Sequence, residues 1–481
     1  MNYKAVVNIL GRILLIEAAL LCCPLIVDLI YKENTYLAFL IPAGGLALIS
    51  ILIVTFVKPK DKILYAKEGF VITSLAWVLM SLVGAVPFML TKVTTNFVDA
   101  FFEIVSGFTT TGATIFNDVE VLPDSILFWR SFSQWIGGMG ILVFMLAVIP
   151  NQEGGSMHIL RAESTGPNVG KLVSKMRITA RILYAIYVFF TVLCFIFLVA
   201  GKMPLFDSIV NAFATAGTGG FSTKNLSIAQ YGNVYYEMVI AVFMLIFGIN
   251  FNAFYLILIG RLKDVFKMEE VRAYLIIVIA ATILIAVDIM SLYQNFGEAL
   301  RYSFFQVTSI ISTTGFGTAN FDAWPVFAKI ILLLLMITGA CAGATAGGFK
   351  ISRVLILSKS SYTDLRKMLR PRQVIKTKLD GKPLSEEVIR NTKTYLTAYA
   401  GIIIVSVLLI AIEGNGGVET NISTVISCFN NIGPGFEEVG PLCNYSSYSI
   451  FSKIILSLDM LAGRLEIFPI LLLFNPNTWK K

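Results

Sequence analysis

Ten separate apolar runs, each long enough to cross a bilayer as a helix, govern what this chain can fold into. They lie near 5–30, 36–57, 68–91, 127–149, 178–201, 235–260, 272–294, 325–357, 394–412 and 449–474. Crossing about 30 Å of hydrocarbon takes about 20 helical residues. Of 481 residues, 56% are hydrophobic and 14% charged, with mean hydropathy +0.78. A water-soluble domain carries about 25% charge, so the apolar excess here faces lipid. The sequence predicts an all-α polytopic membrane protein. Its first run is too long for a signal-peptide core and lacks a small-residue cleavage site, so it reads as a retained spanning helix.

The net charge of +8 is distributed by topology. Basic residues occupy alternate connections: Lys58, Lys60, Lys62 and Lys67, then Arg161, Lys171, Lys175 and Arg177, then Arg261, Lys263 and Lys267. The richest stretch, 358–393, holds Lys359, Arg366, Lys367, Arg370, Arg372, Lys376, Lys378, Lys382 and Arg390. The opposite connections carry acids such as Asp118, Glu120, Asp124, Glu437 and Glu438. The positive-inside rule then puts both termini in the cytoplasm, with Lys480 and Lys481 inside. No aromatic platform accompanies the basic stretches, which argues against nucleic acid. The six cysteines show no CxxC spacing and the single histidine, His158, reads as a loop residue. Neither a zinc site nor a disulfide framework is expected, nor the cluster an embedded enzyme needs. Trp129, Trp135 and Trp324 are expected in the interfacial aromatic belts.

Four connections on the acidic side share an unusual pattern. Each opens with a partly apolar stretch too short to span, at 98–109, 205–214, 298–312 and 419–430. Each then enters a Gly-containing polar segment: Thr110–Thr114, Thr215–Gly219, Thr313–Gly317 and Asn431–Gly435. Aligned on Gly112, Gly217, Gly315 and Gly433, the copies are spaced by 105, 98 and 118 residues. The chain therefore reads as two leading helices and four copies of helix, re-entrant helix, Gly loop and helix.

Irregular backbone cannot face lipid, so the four loops must face one another or line an aqueous path. A ring of carbonyl oxygens can replace the hydration shell of a monovalent cation. Gly supplies the φ > 0 that turns successive carbonyls inward, and the C-terminal ends of the short helices add partial negative charge. For any one loop, a tight surface turn would explain Gly, Thr and Ser equally well. Four in register, each after a sub-spanning apolar stretch, point to a shared pore.

At these residues the chain resembles the Trk/Ktr/HKT superfamily of potassium transporters, whose members fuse four M1–P–M2 units in one polypeptide. WRSFSQWIGGMG at 129–140, CAGATAGGFK at 341–350 and AGRLE at 462–466 resemble family segments of the first, third and fourth M2 helices. The two leading helices point to the TrkH/TrkG branch. The resemblance implies pseudo-fourfold symmetry, with leading helices at 1–67 and repeats at 68–177, 178–271, 272–393 and 394–481. It assigns a potassium filter to Thr110, Thr111, Gly112, Thr215, Ala216, Gly217, Thr313, Thr314, Gly315, Asn431, Ile432 and Gly433. Glycine at all four shared positions favours potassium; a sodium or mixed transporter of the same architecture is the alternative. A pump's potassium-binding subunit is a more distant one.

Two features of the M2 helices read ambiguously from the residues alone. Gly339, Gly343 and Gly347, with Thr345, Gly348 and Lys350 beside them, fit either close helix packing or a loosened, gate-forming loop. Arg464, near the middle of the last span, needs an aqueous cavity or an acidic partner such as Asp459 or Glu466. The resemblance favours the gate, with Lys350 helping to hold it closed, and a pore-facing Arg464 as a barrier. It further implies a multi-pass protein of the bacterial inner membrane, with K⁺ as substrate and no covalently bound cofactor. Its partners would be a second copy of the chain and a cytosolic TrkA-like ring, which binds the regulatory nucleotide, ATP or NAD. The basic 358–393 and 150–177 segments are expected to dock that ring.

Overall fold

The structure, a computed structural model, describes residues 1–59, 64–140, 176–370, 372–373, 375–414 and 416–479. Lys60, Lys62, His158, Arg161, Lys171, Lys175, Lys480 and Lys481 lie outside the described residues, as does most of the expected 150–177 docking segment.

Among the described residues, six helices are long and apolar enough to cross a membrane. Two are the leading helices, Tyr3–Tyr31 and Tyr36–Phe56; the other four, Ala66–Leu90, Ile178–Ala200, Glu269–Asp288 and Glu386–Ala411, are the M1 helices of repeats 1–4. The leading pair pack tightly, with the Asn8 amide donating to the carbonyl of Val57 at the far end of its partner (2.8 Å). Between each M1 and M2 stands a short P helix: Phe97–Phe108, Leu205–Gly217, Phe296–Ile311 and Val418–Phe429. The side chains of Asn96 and Asn295 cap the first and third (2.9 Å each), satisfying N–H groups that lipid could not. At 12–16 residues none can span.

The M2 helices differ from expectation. None of the three that are described beyond the bundle centre is a continuous span. The second runs Val234–Phe247, turns by 90° and resumes at Phe251–Leu258, with Asn250 capping the new helix. The third stops at Thr338 and resumes at Ile351. The fourth stops at Arg464 and resumes at Phe468, with Glu466 and Ile467 at positive φ (59° and 66°). The first runs Asp124–Gly138, beyond which only Met139 and Gly140 are described. Hydropathy counts such helices as unbroken because the interruptions are mostly small or apolar, with single polar residues such as Asn250 and Glu466 that an average hides; the breaks answer to packing at the centre of the bundle.

Two further readings are corrected. The stretch 358–393 is not one loop, since the second half of the third M2 runs on to Leu369 and a short hairpin pairs Lys378–Leu379 with Lys382–Pro383. Trp129 and Trp324 are buried rather than in a lipid belt; their indole N–H groups donate to the Gly84 carbonyl (3.1 Å) and the Tyr293 hydroxyl (3.2 Å).

M2 glycines let the P helices approach. A Cβ on Gly137 would overlap the carbonyl oxygen of Phe108, and one on Gly463 that of Phe429, which is the same contact in repeats 1 and 4. Gly463→Ala is expected to cost about 1–3 kcal/mol by overpacking, read as a lower melting temperature in detergent. An unchanged melting temperature would show that this approach is not a constraint.

Candidate functional site

Each P helix ends in the same backbone turn. One or two residues past the helix end, a residue takes positive φ: Thr110 (58°), Thr218 (56°), Thr313 (55°) and Asn431 (57°). Its N–H bonds the carbonyl three residues back, and the next N–H bonds five back. Thr110 N reaches Gly107 O (3.0 Å) and Thr111 N reaches Ser106 O (2.8 Å); the pairs at 218/219, 313/314 and 431/432 repeat this. This is the Schellman arrangement, which consumes the last helical carbonyls and turns the chain off the axis. Two residues on, a glycine again takes positive φ: Gly112 (81°), Gly220 (75°), Gly315 (82°) and Gly433 (101°).

The turns fix the register. In repeats 1, 3 and 4 the turns are formed by Thr110–Gly112, Thr313–Gly315 and Asn431–Gly433. In repeat 2 the turn is Thr218–Gly220, so the expected Thr215, Ala216 and Gly217 sit three residues early, in the last turn of the P helix. Gly217 serves packing there, since a Cβ on it would overlap the backbone carbonyl of Gln134. Thr-Ala-Gly and Thr-Gly-Gly stand side by side and both fit a Thr-x-Gly template. The signal that separates them is the following Phe, shared by Gly220-Phe221 and Gly315-Phe316.

The four turns close a ring. A Cβ on Gly112 would overlap the carbonyl oxygen of Gly219; one on Gly220, that of Thr314; one on Gly315, that of Ile432; and one on Gly433 would lie 2.7 Å from that of Thr111. Each repeat thus abuts the next, and the fourth abuts the first. All four glycines line one open vestibule. Lys224 in its lining donates to Glu120 (3.2 Å), which also accepts from Gln230 (2.7 Å). The hydrogen bond from Gln230, foremost, holds its carboxyl below the ordinary pKa.

Beneath the ring lies the interruption of the third M2. Residues 339–350 are not helical, so the small-xxx-small reading of Gly339, Gly343 and Gly347 does not apply. Gly339, Gly343 and Gly348 take positive φ (66°, 72° and 80°). The segment leaves and rejoins the helix through Phe349 N to Ile337 O (3.1 Å) and Lys350 N to Thr338 O (2.9 Å). It touches the ring directly, Gly347 N donating to Thr313 Oγ1 (2.7 Å). Repeat 2 holds its other side through Cys341 N to Gly248 O (3.1 Å) and Thr345 Oγ1 to Phe247 O (3.3 Å). Glu270, at the start of the third M1, accepts from Ala342 N (2.6 Å) and Ser352 N (3.2 Å). Lys350 is buried and donates to the Ala346 carbonyl within the same segment.

Arg464 reaches under the ring from the end of the fourth M2's first half. Its guanidinium donates to Thr110 Oγ1 (3.3 Å), Thr345 O (2.7 Å), Gly138 O (2.7 Å) and Gly137 O. One cation from repeat 4 thereby ties the ring, the first M2 and the 339–350 segment together. The acids considered as its partners are engaged elsewhere: Glu466 pairs with Arg353 and Asp459 accepts from Ser406 (2.8 Å).

A family model described as TrkH, cation transport protein, matches residues 43–481. The chain belongs to the TrkH family. The Trk system potassium uptake protein TrkH of Salmonella typhimurium is 35% identical over the full length of both chains, and the TrkG protein of Escherichia coli 30% identical over this whole chain and 99% of that one. Among solved structures, the potassium transporter TrkH from Vibrio parahaemolyticus superposes with a TM-score of 0.90 at 29% identity, covering both chains completely. Like them, this TrkH-family chain is a multi-pass, mainly helical membrane protein, and sequence and shape agree end to end.

Truncating Arg464 to Ala in this TrkH-family chain removes hydrogen bonds to four residues at once. The expected outcome is a several-fold rise in cation flux through purified protein in vesicles, as the 339–350 segment loses the Thr345 anchor. Flux equal to wild type would rule out a restraining role.

Proposed function

We propose that the protein takes up potassium ions, which pass through the ring formed by Thr110–Gly112, Thr218–Gly220, Thr313–Gly315 and Asn431–Gly433. The closed contact order from each glycine to the next repeat's carbonyl carries this reading, because it holds uncharged oxygens around one axis. The four P-helix C-termini reinforce it, each adding partial negative charge at the same centre. Relatives across the full chain are named potassium uptake proteins. Glycine at all four third positions favours potassium over the sodium alternative. Transport, rather than catalysis, is the role proposed, with K⁺ as substrate and no covalently bound cofactor.

Regulation follows from the underside. The 339–350 segment is proposed as the gate and Arg464 as the barrier, since both sit below the ring and contact it. The second half of the third M2, Ile351–Leu369, connects the gate to the basic end carrying Lys359, Arg366 and Lys367. A cytosolic TrkA-like ring that binds ATP or NAD would act there, on a homodimer in the bacterial inner membrane with both termini cytoplasmic. The proposed units are the two leading helices at 1–67 and the repeats at 68–177, 178–271, 272–393 and 394–481.

The test is potassium-limited growth of an uptake-deficient strain that retains its own nucleotide-binding ring. The chain is expected to restore growth, and Gly112→Ser to lose the preference for potassium over sodium, because its Cβ meets the Gly219 carbonyl. No rescue by the unaltered chain, or sodium flux matching potassium, would overturn the proposal. Neutralising Arg366, Lys367, Arg370 and Arg372 together is expected to weaken capture of the ring in a pull-down; equal capture would remove that surface from the reading.

A further inference from the structure

The ring is symmetric in backbone but not in support. At its second position three repeats carry a side chain, Thr111, Thr314 and Ile432, all buried. Repeat 2 has Gly219, which is not at positive φ, so no backbone demand explains the glycine. What excludes a side chain is Gln134, from the first M2. A Cβ on Gly219 would lie 2.6 Å from its Nε2 and 2.7 Å from its Cγ, and would overlap Cδ.

Gln134 uses both ends of its amide. Nε2 donates to the Gly219 carbonyl (2.6 Å), and Oε1 accepts from the Phe221 N–H (3.1 Å). One fully buried side chain therefore clips the peptide groups on both sides of Gly220. The Gly219 carbonyl is the same oxygen that the Gly112 contact defines as a member of the ring. Among the described residues, no side chain donates to the carbonyls of Thr111, Thr314 or Ile432. One helical turn before Gln134, Arg130 lays its guanidinium over the Phe221 ring (4.1 Å), so one face of the first M2 grips the second loop twice.

Two adjacent glycines make Gly219–Gly220 the least restrained of the four strands. A carbonyl oxygen has two lone pairs, so an amide donor on one leaves the other for an ion. We propose that Gln134 is a specificity-positioning residue. It replaces, from the neighbouring repeat, the side chain missing at Gly219, and it fixes the direction of that carbonyl. The proposal rests on reading the ring as the ion path.

The experiment measures rubidium uptake and its inhibition by sodium in vesicles, per folded molecule, for the full chain and three variants. Gln134→Ala and Gln134→Met are each expected to lower rubidium-over-sodium preference by roughly three- to tenfold, the factor one neutral hydrogen bond is worth. Adding Gly219→Thr to the Gln134→Ala chain rebuilds the arrangement of the other repeats and is expected to recover most of the preference. An unchanged preference in folded Gln134→Met overturns the proposal. If that variant does not fold, the double variant decides: recovery supports the proposal and no recovery overturns it. Absence of rubidium uptake by the unaltered chain would instead sink the ion-path reading itself.

Discussion

Everything at the centre of this molecule depends on how four helix ends are capped within the membrane. A helix leaves its last carbonyls unpaired, and hydrocarbon offers no water to satisfy them. The Schellman turns at 110, 218, 313 and 431 consume those carbonyls internally. In doing so they bend the chain and present the next carbonyls sideways. Such turns favour glycine at the left-handed position, yet this chain places Thr three times and Asn once. A non-glycine residue there costs of order 1–3 kcal/mol, and the side chains account for its retention. Thr110 accepts from Arg464, Thr313 accepts from Gly347, and Asn431 donates to Met460 O (2.9 Å) and Thr111 Oγ1 (3.1 Å). In three of the four repeats the residue that closes the helix also holds a neighbouring segment; Thr218 instead donates to the adjacent Gly217 carbonyl (2.6 Å).

Much of this architecture is legible in the residues. Hydropathy locates the leading helices and all four M1 helices, because each is a long apolar run facing lipid on one side. Sub-spanning length separates the P helices from the rest. Three of four turns are found by a Thr-x-Gly or Asn-x-Gly match after such a helix. The fourth fails because Thr215-Ala216-Gly217 imitates the template one helical turn early, and local residues cannot say where a helix buried among its neighbours stops. The M2 breaks fail for a related reason. Gly248 and most of the 339–347 run are small or apolar, and a lone Glu466 stands between Leu465 and Ile467, so averaged hydropathy passes over all three; what interrupts the helices is contact with other repeats. The burial of Trp129 is likewise a tertiary fact, set by the Gly84 carbonyl.

A cation beneath the ring presents an apparent conflict, since carbonyl oxygens attract cations and a buried arginine is costly. The contacts of Arg464 resolve it. Gly137, Gly138 and Thr345 supply backbone oxygens, as the ring itself would supply them to an ion. The guanidinium thus occupies the underside in the manner of a permanently tethered cation. The Thr345 oxygen belongs to the non-helical 339–350 segment, which Glu270, Phe247 and Thr313 also hold. Any shift of that segment alters the solvation of Arg464, so charge and loop cannot move independently.

Fusing four repeats in one chain is what makes these unequal supports possible. Seven residues before each turn stand Glu103, Asn211, Gln306 and Thr424, all fully buried. Glu103 accepts from Ile115 N (2.9 Å) and pairs with Arg130 (2.8 Å), Asn211 donates to Tyr231 (3.3 Å), Gln306 meets the backbone at Ala319, and Thr424 meets the Tyr448 hydroxyl (2.8 Å). Four chemically different residues do one job, each with a partner in the chain that follows its own P helix. A homotetramer would have to satisfy all four with one pair. Here the backbone stays fourfold while side chains diverge, which leaves room for Arg464 in repeat 4, a twelve-residue non-helical segment at 339–350 in repeat 3 and Gly219 backed by Gln134 in repeat 2. The symmetry required for coordinating an ion is a property of peptide groups, and the sequence is free to depart from it wherever the surrounding packing still holds those groups in place.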